Sequence, residues 1–382
     1  MDHLMTEYQN ELTQLVDQLN RSVTRTKVRA DISVDQILAT AVQRNASDII
    51  LVAGSPVTMR VNGALVLEPE PALSGDDVRH LLLPLLTAGQ QQELQDQKAI
   101  DFSFLRNSIG RFRANFHHQR GTLAAAIRLL PAQIPTLESL HLPPSLAMLT
   151  ERRQGLVLLT GATGCGKTST LAALIDRING RRRDHIITIE DPIEYHHVNR
   201  SSLVEQIELG HDTPSFAQAV RAVLRQDPDV ILVGEMRDSE TMAAALTAAE
   251  TGHLVLSSMH TNDAAQSVSR ILDTFASGYQ SQIRQQLSLA LLAVVSQQLL
   301  PSVNGTARFP AVEIMVATSA TRSLIRRGDD HQLRAHIETG RSEGMQTMEQ
   351  SLVELIRAGR ISVDTAFAHC YHPEDLRRHL AD

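Results

Sequence analysis

The sequence predicts an α/β protein of two domains. Three observations carry that reading. Strand and helix patterns alternate regularly from Gly155 onward, a shorter mixed region precedes them, and Pro131, Pro135, Pro143 and Pro144 crowd the span between. At about 150 residues per domain, 382 residues leave room for two to three. The composition, 42% hydrophobic and 21% charged, is that of a chain able to bury a core, which excludes wholesale disorder. The net charge of -7 argues against a general nucleic-acid coat, so no nucleic-acid partner is expected. Two cysteines, Cys165 and Cys370, are too few for a disulfide framework or a four-cysteine zinc site, and they suit a reducing compartment. Acidic residues at Asp2, Glu7, Glu11 and Asp17 interrupt the N-terminus, so it does not read as a secretory signal. The apolar run Leu287 to Val295 is about half of a bilayer span. A cytoplasmic protein is expected, with any membrane association made through a partner.

Along the chain, Tyr8, Leu12, Leu15, Val16 and Leu19 repeat at helical spacing, and residues 1–30 read as a helical extension. Residues 31–130 read as a small α/β domain. A short helix at Val34–Val42 leads to strands at Ile49–Val52 and Thr58–Val61, and Asn62-Gly63 signals a hairpin. One helix is expected over Val78–Gln97, then strands at Asp101–Phe104, Arg111–Phe116 and Ala124–Leu129. The prolines place a linker at 131–148, because proline breaks helices and cannot serve a central strand. Residues 149–382 form the second domain. Its apolar spacing turns mostly helical after about 280: Met348, Leu352, Leu355 and Ile356 make one face and Gly359 stops it.

Gly161-Ala162-Thr163-Gly164-Cys165-Gly166-Lys167-Thr168 fills the pattern G-x-x-x-x-G-K-[ST]. The apolar run Leu156–Thr160 precedes it and a helical pattern from Ser169 follows, which is the order a phosphate-binding loop requires. Glycines at 161, 164 and 166 let successive backbone N–H groups converge on one phosphate. The helix that follows adds about half a positive charge at its N-terminus. Lys167 is expected to neutralise the β- and γ-phosphates, Thr168 to offer its hydroxyl to Mg²⁺, and Cys165 to act through its backbone alone. The cofactors expected are therefore ATP and Mg²⁺, with residues 161–169, Ser169 included, as the binding set.

Val230–Gly234 is an apolar strand running into Glu235, expected to lie beside the strand of the phosphate loop and to aim a carboxylate at the attacking water. Ile186–Ile189 runs into Glu190, Asp191 and Glu194, of which Glu194 is the favoured contributor to the metal shell. His253 and His260 flank a third strand, and both are candidates for sensing phosphate. Arg111 and Arg113 alternate with Phe112, so both point to one face of a first-domain strand with Arg128 nearby. A guanidinium from there is a candidate for stabilising transition-state charge. His369, Cys370 and His372 lack a second ligand pair and do not read as a metal site.

These residues fall into motifs that resemble the type IV pilus retraction ATPases (PilT-like) of the secretion ATPase superfamily. The four central stretches are Gly161–Thr168, Thr188–Tyr195 (TIEDPIEY), Gly234–Asp238 (GEMRD) and Ala249–His260 (AETGHLVLSSMH). Ala46-Ser47-Asp48, Gly110-Arg111-Phe112-Arg113, Ser296-Gln297-Gln298-Leu299 and Gly344-Met345-Gln346-Thr347 extend the likeness over about 32–360. The resemblance implies a PAS-like N-terminal domain, a RecA-like core and a homohexameric ring that hydrolyses ATP to disassemble a pilus. It implies an inner-membrane pilus platform protein as partner, with related motor ATPases as further partners. It assigns Glu194 to the acidic box, Glu235 to Walker B, His253 and His260 to the histidine box, and Arg111 and Arg113 to the arginine-bearing strand. The sequence departs from the family pattern at Ile50, at Cys165, in Ala320–Arg326 (ATRSLIR) and in the extra residues 1–30. Rival readings are a pilus-assembly or type II secretion ATPase, a type IV secretion or conjugation ATPase, a non-catalytic accessory subunit of such a ring, and a DNA-translocating motor. Missing cysteines weigh against the first, intact Lys167, Thr168, Glu194 and Glu235 against the accessory subunit, and the acidic charge against the DNA motor.

Overall fold

Ser33 opens the first helix of the computed structural model, which describes residues 33–61 and 63–381. The expected 1–30 helix and Asn62 lie outside the described residues. Ser33 and Gln36 form a reciprocal capping box at the start of α1 (Val34–Gln43), satisfying amide donors that a helix start leaves open. The chain then builds β1 (Ala46–Val52), β2 (Thr58–Val61) and β3 (Ala64–Leu67), with Val61 opposite Ala64 and Gly63 at φ 85°. The single helix expected over Val78–Gln97 is two: α2 (Gly75–Leu82) and α3 (Ala88–Gln97). Pro84 sits in the 3-10 turn between them, where it supplies no N–H and its ring blocks a continuous helix, and Thr87 with Gln90 caps the restart. Three strands complete the sheet: β4 (Ala99–Arg106), β5 (Gly110–Gln119) and β6 (Thr122–Leu129). The sheet is six-stranded, ordered β3-β2-β1-β6-β5-β4, with every pairing antiparallel. Phe112, Ala114 and Phe116 face the helices and are fully buried, which turns Arg111 and Arg113 to the other face.

The division between the two units falls between Ala132 and Gln133. Most of the expected linker belongs to the second unit. Leu137, Leu142, Leu146 and Leu149 are buried in its core against Leu171 and Ile175, and the Arg182 guanidinium holds the Thr150 and Arg152 carbonyls at 3.0 and 2.7 Å. No α-helix forms there, only a 3-10 helix at Pro144–Glu151 that starts on a proline, and the leucines between the prolines supply apolar surface that water disfavours.

The second unit is built on β7 (Gly155–Thr160), α4 (Lys167–Arg181), β8 (His185–Glu190), β9 (Leu203–Glu208), α5 (Phe216–Val223), β10 (Val230–Val233), α6 (Ser239–Glu250) and β11 (Leu254–Met259). It continues with α7 (Ala264–Asp273), α8 (Ser277–Ala290), β12 (Leu291–Pro301), β13 (Arg308–Val316), α9 (Ser319–Arg327), α10 (Leu333–Thr339), α11 (Met348–Arg357), α12 (Val363–His369) and α13 (Pro373–Ala381). The seven strands are ordered β13-β12-β7-β11-β10-β8-β9, all parallel to their neighbours except β13. Leu156 to Leu159 are at most 1% exposed, as a central parallel strand covered on both faces must be. α4 and the 137–149 segment cover one face, and α5 to α8 the other.

The region after about 280 is less helical than its spacing suggests. β12 and β13 occupy Leu291–Pro301 and Arg308–Val316, because a short apolar run buried on both sides carries no period that separates strand from helix. The helical reading holds for α11, whose Met348 and Leu352 are buried with Leu300 and Ala311 in a separate core.

Candidate nucleotide-binding site

The site is assembled at the C-terminal ends of parallel strands, where open α/β sheets bind ligands. β7 ends at Thr160, the loop 161–166 curls, and α4 begins at Lys167. Gly161, Gly164 and Gly166 take φ values of 137°, 80° and 94°, a region L side chains rarely enter. At two of them space is also closed. A Cβ on Gly161 would lie 2.3 Å from the Gln297 carbonyl oxygen, and one on Gly166 would lie 2.8 Å from Gln297 Nε2. No side chain caps the start of α4, so its first amides are free to bind an anion, which fits a nucleotide phosphate.

Lys167 is buried, and its Nζ donates to the Gly161 and Ala162 carbonyls at 2.7 and 3.1 Å. Burial lowers its pKa, while Cys165 and Glu235 nearby pull the other way. Cys165 is buried and burial raises its thiol pKa, keeping the sulfur neutral and unreactive. Ser169, one position past Thr168 in the first turn of α4, meets the Tyr195 hydroxyl at 2.8 Å. Tyr195 is itself buried, which raises its pKa, and neighbouring Glu194 adds to that rise. The acidic loop is thereby pinned to the phosphate-loop helix, and Glu194 is half-buried beside the pin. Glu190 is spent within the fold: its Oε1 accepts from Thr188 Oγ1 at 2.7 Å and Gln206 Nε2 at 3.1 Å.

Glu235 follows β10. Its Oε1 pairs with Arg237 Nε at 2.6 Å and its Oε2 lies 3.6 Å from His260 Nε2. The strand carrying it is not beside β7 as expected, because β11 lies between them. Periodicity reveals strands but not their order. The intervening strand is useful: Met236 N–H donates to the Ser258 carbonyl at 3.0 Å and Ser258 Oγ to the Gly234 carbonyl at 2.7 Å, so β11 fixes the turn that aims Glu235.

The structure thus gathers residues 161–169, Glu194, Glu235 and His260 at one end of the sheet. His253 is not among them. It precedes β11, its carbonyl accepts from Gly155 N–H at the start of β7, and its Nδ1 lies 2.9 Å from the Ala248 carbonyl. Six strand residues at about 3.3 Å each put it about 20 Å from the phosphate loop. Strand alternation could not show that the two histidines cap opposite ends. Arg111 and Arg113 lie on β5 of the first unit, with Arg113 opposite Arg128, which in turn pairs with Asp48 at 3.0 Å.

Three site residues escape the sequence reading. Tyr195 ends the TIEDPIEY stretch, and Gln297 is quoted only within a motif. Arg237 stands two positions after Glu235, a spacing that returns a side chain to the same side of an extended segment.

A parallel sheet of this order, a glycine loop leading into a helix and a strand-end glutamate together define a P-loop ATPase with a RecA-like core. The chain belongs to the family described as Type II/IV secretion system protein, which it matches over residues 25–368. It is 40% identical over 343 residues to the type IV pilus retraction ATPase PilT of Pseudomonas aeruginosa, covering 90% of this chain and 99% of PilT. It is 39% identical over 343 residues to the type IV pilus ATPase PilU of the same organism, covering 90% of each. The crystal structure of the pilus retraction motor PilT with bound ADP superposes with a TM-score of 0.86 at 43% identity, covering 91% of this chain and all of that one.

Proposed function

We propose that this protein is an ATP-hydrolysing motor that retracts a type IV pilus. In this reading six copies form a ring docked on an inner-membrane platform protein, with related motor ATPases as further partners. The support is the likeness over 90% of the chain to relatives named as pilus ATPases and a pilus retraction motor. The observation that carries it is the joining of an uncapped, glycine-bent phosphate loop to Glu235 at the same sheet end. Among the described residues no helix is long and apolar enough to cross a membrane, so docking on a membrane partner suits the chain.

Residues 161–169 bind the triphosphate through backbone amides. Lys167 exchanges the Gly161 and Ala162 carbonyls for β- and γ-phosphate oxygens, a trade of neutral acceptors for charged ones. The Thr168 hydroxyl and Glu194 would hold Mg²⁺, which supplies charge neutralisation at the phosphate oxygens. Glu235 accepts the proton of the attacking water, and Arg237 and His260 hold its two oxygens in place. Arg111 and Arg113, which match the arginine-bearing strand of the family, are the proposed responders to the γ-phosphate. Two experiments test the reading. Phosphate release by the purified protein should require Glu235, and deleting the gene should leave surface filaments that accumulate without retracting. Absence of turnover with intact ATP binding, or filaments that retract normally, would remove it.

A further inference from the structure

One buried residue from outside the phosphate loop closes on it at both ends, with its backbone carbonyl against Gly161 and its side-chain amide against Cys165 and Gly166. Gln297 lies on β12, beside β7, and is 4% exposed. Its Nε2 donates to the Cys165 carbonyl at 2.6 Å, and its Oε1 accepts from Thr170 Oγ1 on α4 at 3.0 Å. A carbonyl can only accept, so Nε2 must face Cys165, and the Thr170 hydroxyl must donate to the other end of the amide. The same residue fills the space where Gly161 and Gly166 would carry Cβ atoms.

The Cys165 carbonyl shares a planar trans peptide with the Gly166 N–H, and the two point in opposite directions. Fixing the carbonyl toward β12 therefore fixes the Gly166 amide toward the loop's open side. Gly166, at φ 94°, has the freedom to rotate that a β-substituted residue lacks, so the peptide needs such an anchor. A buried carbonyl left without a donor would also be costly, and the loop would turn to satisfy it.

We propose that Gln297 is a positioning residue for phosphate binding, acting on the Gly166 amide through the Cys165 peptide without touching nucleotide. This rests on the loop's binding a nucleotide phosphate. Loop amides hold phosphates in the ground and transition states alike, so their misalignment weakens binding more than it slows chemistry.

The test is ADP affinity and steady-state hydrolysis for the full chain and four variants. Q297M keeps the volume and loses both hydrogen bonds. Its ADP dissociation constant and KM for ATP should rise about tenfold, with kcat within about twofold. Q297E keeps the acceptor for Thr170, and only its protonated form can donate to Cys165. Its ADP affinity should recover toward wild type between pH 8 and pH 5.5, while the Q297M defect stays constant relative to wild type. T170V should weaken ADP binding about threefold, and the double variant T170V/Q297M should bind no worse than Q297M. Wild-type affinity in folded Q297M, or a Q297E defect that ignores pH, overturns the proposal. If Q297M does not fold, T170V decides, and unchanged affinity there overturns it. Failure of the wild-type protein to bind ADP removes the nucleotide reading itself, a result distinct from either.

Discussion

Glu235 and His260 arrive on neighbouring strands, β10 and β11, and their side chains meet 3.6 Å apart just beyond the strand ends. The carboxylate also holds Arg237 at 2.6 Å, so both oxygens have cationic or potentially cationic partners while the group stays near enough to oppose the fall that burial imposes on the Lys167 pKa. A carboxylate so held keeps its direction, which proton abstraction from a water demands.

Glu235→Ala should therefore bind ATP normally and lose hydrolysis by about 10²–10⁴. Equilibrium nucleotide binding and phosphate release, measured on one preparation, check this. Normal turnover would take Glu235 out of the mechanism.

Lys167→Ala should lose both binding and hydrolysis. It removes the one side-chain cation bonded to the loop's own carbonyls among the described residues. Calorimetric titration with ATP is the check, and unaltered affinity would contradict the assignment of the loop.

The two histidines should separate cleanly. His260→Ala should lower the hydrolysis rate, since its ring faces Glu235. His253→Ala should leave ADP affinity unchanged, because its ring is bonded to the Ala248 carbonyl at the opposite end of the sheet. Weakened ADP binding in the second variant would show that this end of the sheet reaches the site.

Tyr195→Phe removes only the hydroxyl that meets Ser169 at 2.8 Å. A part-buried hydrogen bond of this kind is worth about 0.5–1.5 kcal/mol, so urea unfolding should register a loss of that size. No change in stability would mean that the acidic loop is held to α4 by other contacts.

Glu313 gives the fold a pH dependence. Burial raises its pKa from 4.5 to about 7, with Asp263 and Glu349 adding to the rise and the Ala264 N–H and Arg334 opposing it. The raised value means that the folded state prefers the proton. Below pH 4.5 the group costs nothing, and as pH climbs from 4.5 through about 7 folding loses stability. The loss approaches about 3 kcal/mol, at 1.36 kcal/mol for each pH unit between the two values. Glu313→Gln should abolish this slope and be more stable than wild type at pH 8. Parallel melting curves for the two proteins from pH 5 to pH 8 would contradict it.

Much of this site could be read before the fold was known, and the reason is local geometry. The phosphate loop is contiguous, and its glycines, lysine and threonine are required by one backbone shape, so residues 161–168 announce themselves. Glu235 is legible because it closes an apolar run, and Glu194 because it stands in the acidic stretch that follows another. Strand order is not written in such runs, which is why β11 comes between the strands of Glu235 and the loop, and why His253 and His260 read as a pair. Gln297 stays hidden for the same reason: its partners, Cys165 and Thr170, lie more than 120 positions away in sequence. The 131–148 segment misleads differently, since proline content describes backbone freedom while the leucines decide where the segment packs.

The most direct measurement is a crystal structure of the protein with Mg²⁺ and a non-hydrolysable ATP analogue. The account predicts the terminal phosphates against the amides of residues 161–168, Lys167 Nζ moved from the Gly161 and Ala162 carbonyls onto phosphate oxygens, and Glu235 facing the γ-phosphate. A nucleotide bound elsewhere, or Lys167 still on those carbonyls with the analogue in place, would contradict it.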